Sequence, residues 1–246
     1  MNQLSHKFVT DPNLDSLQVL NHSQRPRFRR HAEFFDEDYF IKGKLSGKSL
    51  YENYRWLPHL TKPMAKALIR FNNLKKTAKV LDFGCARGFL VRALTEEGIE
   101  TYGTDISEYA IANSDPLIRD KLSLFTKNTF EPNLNRKKYG SIDLMIAKDV
   151  FEHIHPKDLY EILASAATFI KRAYILVPLG DKGKYRIGDY ENDASHVIAE
   201  NEKWWEDLFK ACGFFVEQFR YRVDGIKEQA LPLHPEGNGH FILKTL

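Results

Sequence analysis

Val80-Leu81-Asp82-Phe83-Gly84-Cys85-Ala86-Arg87-Gly88 joins an apolar strand to an acidic, glycine-spaced turn that opens a helix. Glycines at 84 and 88 let the backbone turn tightly and let a ligand approach where a Cβ would collide. A Rossmann-like sheet grips a nucleoside in this way, and Asp82, at the carboxyl end of the strand, is placed toward the crevice where open α/β sheets bind ligands. The spacing Asp-x-Gly-x-x-x-Gly is not the Gly-x-Gly-x-x-Gly of dinucleotide sites. It lacks their close pyrophosphate cradle and offers an acid better suited to a cationic ligand.

A second element follows in register. Gly98 ends the helix begun at Gly88, Ile99 to Thr104 reads as a strand, and Asp105 stands at its end. An acid about 20 residues past a glycine turn is where a ribose needs one, because a carboxylate accepts from both hydroxyls. The plainer alternative is that Asp105 caps a helix beginning near Ser107.

With these residues the chain resembles the class I S-adenosylmethionine-dependent methyltransferases, whose first motif reads as VLDFGCARGFL does. The resemblance implies an α/β, Rossmann-like, seven-stranded and mostly parallel sheet with an antiparallel edge strand, helices on both faces and an N-terminal arm or cap. It implies S-adenosyl-L-methionine as cofactor and S-adenosyl-L-homocysteine as product. The methionine part falls near Gly84, Cys85, Ala86 and Gly88, with Asp82 on the amino group and Asp105 and Ile106 at the ribose. Asn128 and Thr129 fall where the family meets adenine, and Lys148 and Tyr54 complete the expected cofactor set. For Asn128, a turn residue bonding its own backbone is an equal alternative.

The chain has 246 residues and a net charge of +3, enough for one large α/β core and without the global basic field that nucleic acid or an anionic membrane would call for. No stretch approaches the ~18 apolar residues of a membrane span, and Met1 to Thr10 lacks the apolar core of a signal peptide, so a cytoplasmic protein is expected. Cys85 and Cys212 make no disulfide framework; Cys85 reads as a small turn residue rather than a reactive thiol.

Residues 1–56 read as the arm, with arginines at 25, 27, 29 and 30 and an aromatic stretch at Tyr51, Tyr54 and Trp56, and residues 57–246 as the catalytic domain. Helices are expected from Thr61 to Leu74, from Lys157 to Lys171 and from Asn201 to Gly213, the last carrying Trp204 and Trp205 as core residues. Strands are expected at Leu122 to Phe125, Ser141 to Ala147, Ala173 to Val177, Phe214 to Tyr221 and His240 to Lys244. The polar segment 179–200 exceeds a simple connection and is assigned to the acceptor cap.

Methyl transfer from a sulfonium is an in-line displacement, so alignment does most of the work and a base is needed only for the acceptor proton. Candidates should follow the fourth and fifth strands. Asp149, Glu152 and His153 lie at i, i+3 and i+4, compatible with a capping box, with His153 as general base, or with a divalent-metal site like that of ubiquinone-biosynthesis O-methyltransferases. Metal is the less favoured of these. His196, with Asp193 near enough in sequence to orient it, is preferred over His153 as base. His31, His59 and His234 have no comparable context.

Lys148-Asp149-Val150-Phe151 lacks the Asn/Asp-Pro-Pro turn of enzymes that methylate exocyclic amines, which leaves oxygen as the expected acceptor atom. Likeness of the arm to bacterial methyltransferases of glycans and secondary metabolites suggests a small polar metabolite or a sugar. Two rivals are an RNA methyltransferase clamping phosphates with the arginine cluster, and a non-catalytic cofactor-binding module.

Overall fold

Helices flank both faces of a twisted sheet whose middle strands are unbroken apolar runs, as burial on two sides requires. The computed structural model describes residues 31–126, 139–227 and 234–246. The strands are β1 (Lys79–Phe83), β2 (Glu100–Asp105), β3 (Leu122–Leu124), β4 (Ile142–Lys148), β5 (Ile170–Pro178), β6 (Gly180–Asp181), β7 (Lys184–Tyr185), β8 (Phe214–Arg220) and β9 (Asn238–Thr245). Seven of them form one sheet in the order β3-β2-β1-β4-β5-β9-β8. Strands β1 to β5 pair in parallel, while β9 runs antiparallel to both β5 and β8. The antiparallel strand thus lies one place in from the edge, which β8 occupies.

The arm carries α1 (Glu37–Ile41), capped by the Asp36 carboxylate, and α2 (Gly43–Ser46). The core helices are α3 (Pro58–Phe71), α4 (Phe89–Glu96), α5 (Glu108–Ala112), α6 (Pro156–Ala166) and α7 (Glu202–Ala211). Alternation along each strand feeds two cores. Leu81, Met145 and Ala147 pack with α6 and α7 on one face, and Val80, Leu144 and Ile146 with α3 and α4 on the other. Trp204 and Trp205 are buried in the first of these cores, as their spacing predicts.

Two helix boundaries depart from the sequence reading. α3 begins at Pro58, whose fixed φ suits the first helical position, and Thr61 sits inside it with its hydroxyl donating to the Leu57 carbonyl. α6 stops at Ala166, and Ile170 opens β5 instead of closing the helix. Phe169 and Ile170 are buried in either conformation, so apolar spacing runs through the junction without marking it. The segment 179–200 is no open loop. It folds into the β6–β7 hairpin and a 3-10 turn over Gly188–Asn192, with Tyr185, Ile187 and Tyr190 buried.

The strand order reverses between β1 and β4, and the crevice at their carboxyl ends is the switch point at which such sheets bind ligands.

Candidate functional site

A cavity of about 390 Å³ opens at that crevice. On the β1 and β2 side it is lined by Gly84, Ala86, Asp105, Ile106, Phe125 and Thr126, on the β4 side by Asp149, Val150, His153 and Ile154, and from the arm by Phe35, Tyr39, Phe40 and Tyr51. Its size falls within the roughly 300–1,000 Å³ of small-molecule sites.

The β1 turn is built tightly. The N–H groups of Gly84 and Cys85 both donate to the Thr104 carbonyl, at 2.8 and 3.1 Å. Gly84, at φ 76°, packs so closely on Val150 that a Cβ would clash, and Ala86 takes the left-handed region at φ 48° without being glycine. Asp105 holds this turn from the next strand. Its Oδ2 accepts from the Ala86 N–H at 2.7 Å and its Oδ1 from the Ser107 N–H at 2.8 Å. Ser107, not Asp105, caps α5, its hydroxyl accepting from the Ala110 N–H. The Ile106 main chain also bonds the carboxylate, which lies on the cavity wall. Burial raises the Asp105 pKa against the pull of those backbone donors.

Other expected cofactor residues stand behind the lining. Asp82 is only 4% exposed, and burial, opposed by Lys148 and reinforced by Asp105, lifts its carboxyl to about 7. The Cys85 thiol is buried and raised well above its ordinary pKa, as expected of a packing residue rather than a nucleophile. Gly88, at φ 79°, begins α4 against Ile118 and Leu122. Tyr54 packs on Phe40, Tyr51 and Phe89, and its carbonyl accepts from Arg87. Asn128 and Thr129, and the arginine cluster at 25–30, lie outside the described residues.

The β4 side corrects the sequence reading. Asp149, Glu152 and His153 do not share a helical face, because Asp149 adopts φ 56° and only a 3-10 turn, Phe151–His153, follows. No capping box forms: the Asp149 carboxylate takes Lys148 Nζ at 2.6 Å and Lys227 Nζ at 2.5 Å. Burial would raise its pKa, but the two ammonium groups outweigh that and hold the carboxyl far below the usual range. Lys227 also stands 4.6 Å over the Tyr190 ring.

Glu152 is 1% exposed, its Oε1 lies 3.9 Å from His153 Nε2, and its Oε2 has no hydrogen-bond partner among the described residues. Burial and the Asp149 charge push its pKa well up. Its main-chain carbonyl accepts from the N–H groups of Val197 and Ile198, at 2.8 and 3.1 Å, pinning the segment after β7 beneath the cavity. That brings Ser195 to His153, with Oγ 2.7 Å from Nδ1, and Asp193 Oδ1 lies 2.5 Å beyond on Ser195 Oγ.

His196 lies one layer back, its ring centroid 4.6 Å from that of His153 and its Nδ1 donating to the Tyr190 carbonyl at 2.7 Å. It does not line the cavity, whereas His153 does. Asp193 orients Ser195 rather than His196, because the turn at 193–195 folds the carboxylate onto its own hydroxyl neighbour. Burial lowers both imidazole pKa values, that of His196 to about 3 with His153 adding to the effect. Ligand atoms of Glu152, His153 and His196 fall within 4.8 Å of one another, so Asp149 is not in the grouping a cation would meet.

Sequence reasoning missed Lys227, Ser195 and the arm residues Phe35 and Tyr39. Asp-x-Ser at 193–195 does carry a local signal, an Asx turn in which the Ser195 N–H donates to Asp193 at 2.9 Å. Lys227 has none, since only the packing of its segment on β4 brings it to Asp149.

The family model described as "Methyltransferase domain" matches residues 56–218. None of the curated proteins matches this sequence. Among solved structures, the chain is similar to the magnesium protoporphyrin IX methyltransferase from Synechocystis PCC 6803 with bound S-adenosylhomocysteine, at 12% identity and TM-score 0.58, over 87% of this chain and 98% of that one. It is similar to an S-adenosylmethionine-dependent methyltransferase from Clostridium acetobutylicum ATCC 824 at 15% identity and TM-score 0.54, over 75% and 92%. It also resembles the mitomycin 7-O-methyltransferase at 16% identity and TM-score 0.54; 76% of this chain aligns, spanning 54% of that longer one.

Proposed function

This chain belongs to the class I S-adenosylmethionine-dependent methyltransferases, and from that premise we propose that it methylates a hydroxyl of a small polar metabolite or a sugar in the cytoplasm. No helix among the described residues is long and apolar enough to cross a membrane. S-Adenosylmethionine supplies the electrophilic methyl group.

The residues fit it. In this reading Asp105 takes the ribose hydroxyls, Ile106, Phe125 and Thr126 border the base, and the main chain at Gly84, Cys85 and Ala86 receives the methionyl end. Asp82, buried behind that turn, complements the ammonium, with Lys148, Tyr54 and Gly88 shaping the wall. The single observation that carries the reading is Asp105, a carboxylate on the cavity wall that the Ala86 and Ser107 N–H groups lock in place.

His153 is the group assigned to the acceptor proton. It lines the cavity, whereas Asp149 is neutralised by two lysines and His196 stands behind. Oxygen rather than amino nitrogen is supported by the end of β4, where a 3-10 turn without proline replaces a prolyl clamp.

Calorimetry with S-adenosyl-L-homocysteine tests the cofactor assignment, and transfer of a labelled methyl group across hydroxyl and amine acceptors tests the rest. No binding heat would overturn the first, and transfer to amines alone the second.

A further inference from the structure

We propose that Asp193 and Ser195 are positioning residues for the transfer, a buried relay that sets the tautomer of His153. This rests on His153 being the group that meets the acceptor hydroxyl.

Ser195 is fully buried and Asp193 is 6% exposed, so water does not compete for either side chain. The Ser195 hydroxyl has one proton and three neighbours: Asp193 Oδ1 at 2.5 Å, His153 Nδ1 at 2.7 Å and the Tyr39 hydroxyl at 3.4 Å. An ionised carboxylate only accepts, so that proton goes to Asp193. The Ser195 N–H donates to the same Oδ1 at 2.9 Å and fixes the carboxylate in place. With its proton committed, the Ser195 oxygen must accept from the imidazole. His153 therefore carries its hydrogen on Nδ1 and leaves Nε2 as a bare lone pair.

An acceptor at Nε2 is what would reverse this, and the Asp149 main chain, which also hydrogen-bonds the His153 ring, is the competitor that the Ser195–Asp193 pair has to outweigh. Glu152 Oε1, at 3.9 Å, is too far from Nε2 for a hydrogen bond. His196 faces a carbonyl through Nδ1, so its own hydrogen is also spent there and its Nε2 is bare as well. A Nε2–H tautomer would instead present the acceptor hydroxyl with a donor, which cannot take its proton.

The step balances as follows for the acceptor. Its oxygen bonds to the methyl carbon while the carbon–sulfur bond breaks with its electron pair left on sulfur. The hydroxyl proton passes to His153 Nε2, and the resulting imidazolium, stabilised by Asp193 through Ser195, returns that proton to water. In Ser-His-Asp hydrolases, Asp→Asn at the corresponding place leaves the geometry intact and costs about 10⁴ in rate through the wrong tautomer. Here a hydroxyl is interposed, and the logic carries through it.

The test is a two-bond ¹H–¹⁵N spectrum of the full chain labelled at histidine and saturated with S-adenosyl-L-homocysteine, with the His153 signals assigned by their loss in His153→Gln. We expect Nδ1 protonated and Nε2 bare in the parent protein. Asp193→Asn, whose amide donates to Ser195 and frees the hydroxyl proton for the ring, should move the hydrogen to Nε2. Ser195→Ala should abolish the Nδ1–H preference, and Ser195→Thr should keep it. On an accepted substrate, Asp193→Asn should slow transfer by roughly 10²–10⁴-fold while KM and cofactor affinity hold.

A parent spectrum with Nε2–H, with both nitrogens protonated or with an ion-bound ring overturns the relay, as does an unchanged tautomer in both Asp193→Asn and Ser195→Ala. The parent spectrum decides even where a variant fails to fold. Binding heat on the same samples separates the two readings, because its absence would sink the methyltransferase assignment and leave the tautomer result standing.

Discussion

The Asp105 corner and the Asp149–His153 corner border the same cavity and are made in opposite ways. At Asp105, the carboxylate, the turn it holds and the helix cap beside it come from one β1–α4–β2 unit and the residues just after it. Around His153, each polar group is met by a residue from far along the chain: Ser195 on His153, Lys227 on Asp149, and Val197 and Ile198 on the Glu152 carbonyl. A turn held by one acid can be built within a single contiguous unit, whereas a corner assembled from side chains of separate segments exists only once those segments pack together.

If the second corner depends on distant partners, breaking it should be felt in stability. Asp149→Ala leaves two partly buried ammonium groups unpaired and should cost about 3 kcal/mol, roughly 6–12 °C in Tm, with faster hydrogen exchange at 223–227. An unchanged melting temperature would mean the lysines are held by something other than this carboxylate.

Asp105→Ala probes the local corner, and its main effect should fall on affinity. Losing charge-assisted bonds to a ribose should weaken S-adenosyl-L-homocysteine binding by about 2–3 kcal/mol, roughly 30- to 150-fold by calorimetry. Unaltered affinity would remove Asp105 from the cofactor site.

Asp82 gives a pH signature. Burial lifts its folded pKa to about 7, above the 3.8 of an ordinary aspartate, so the native state binds its proton more tightly than the unfolded chain does. The apo protein should therefore lose stability as pH rises from about 4 to 7, and level off above. A cationic methionyl group favours the ionised form. Below pH 7, binding should release a proton, and affinity should climb by up to about tenfold per pH unit. Binding heats that do not depend on buffer ionisation at pH 6 would contradict this.

The smallest effect is expected at Ala86, which holds a left-handed conformation that glycine adopts freely. Ala86→Gly should relieve strain yet give up methyl contacts with the arm aromatics, for a net change below about 1 kcal/mol by chemical denaturation. A large loss would show that the methyl group, not the backbone, sets this turn.

Much of the fold was legible because its signals are local. Apolar runs marked β1, β4 and β5, and Asn201 and Gly213 bracketed α7 as cap and stop. The α6–β5 junction was not legible, because Phe169 and Ile170 are apolar for burial in either element. Asp149-x-x-Glu152-His153 misled for a related reason. Spacing reports a helical face only if a helix forms, and here a left-handed residue and two lysine partners preclude one.

By itself the sequence determined a parallel sheet with an acid at the carboxyl end of each of two neighbouring strands, since a strand, a glycine turn and the next strand end are contiguous and leave the chain little choice. Only the tertiary structure decided that His153 rather than His196 lines the cavity, that Ser195 and Asp193 stand in line behind it, and that Asp149 answers to Lys227. Those pairings join residues brought together by the packing of the 179–200 segment and the chain after β8 against the end of β4, and a contact made by packing leaves no spacing in the sequence to read.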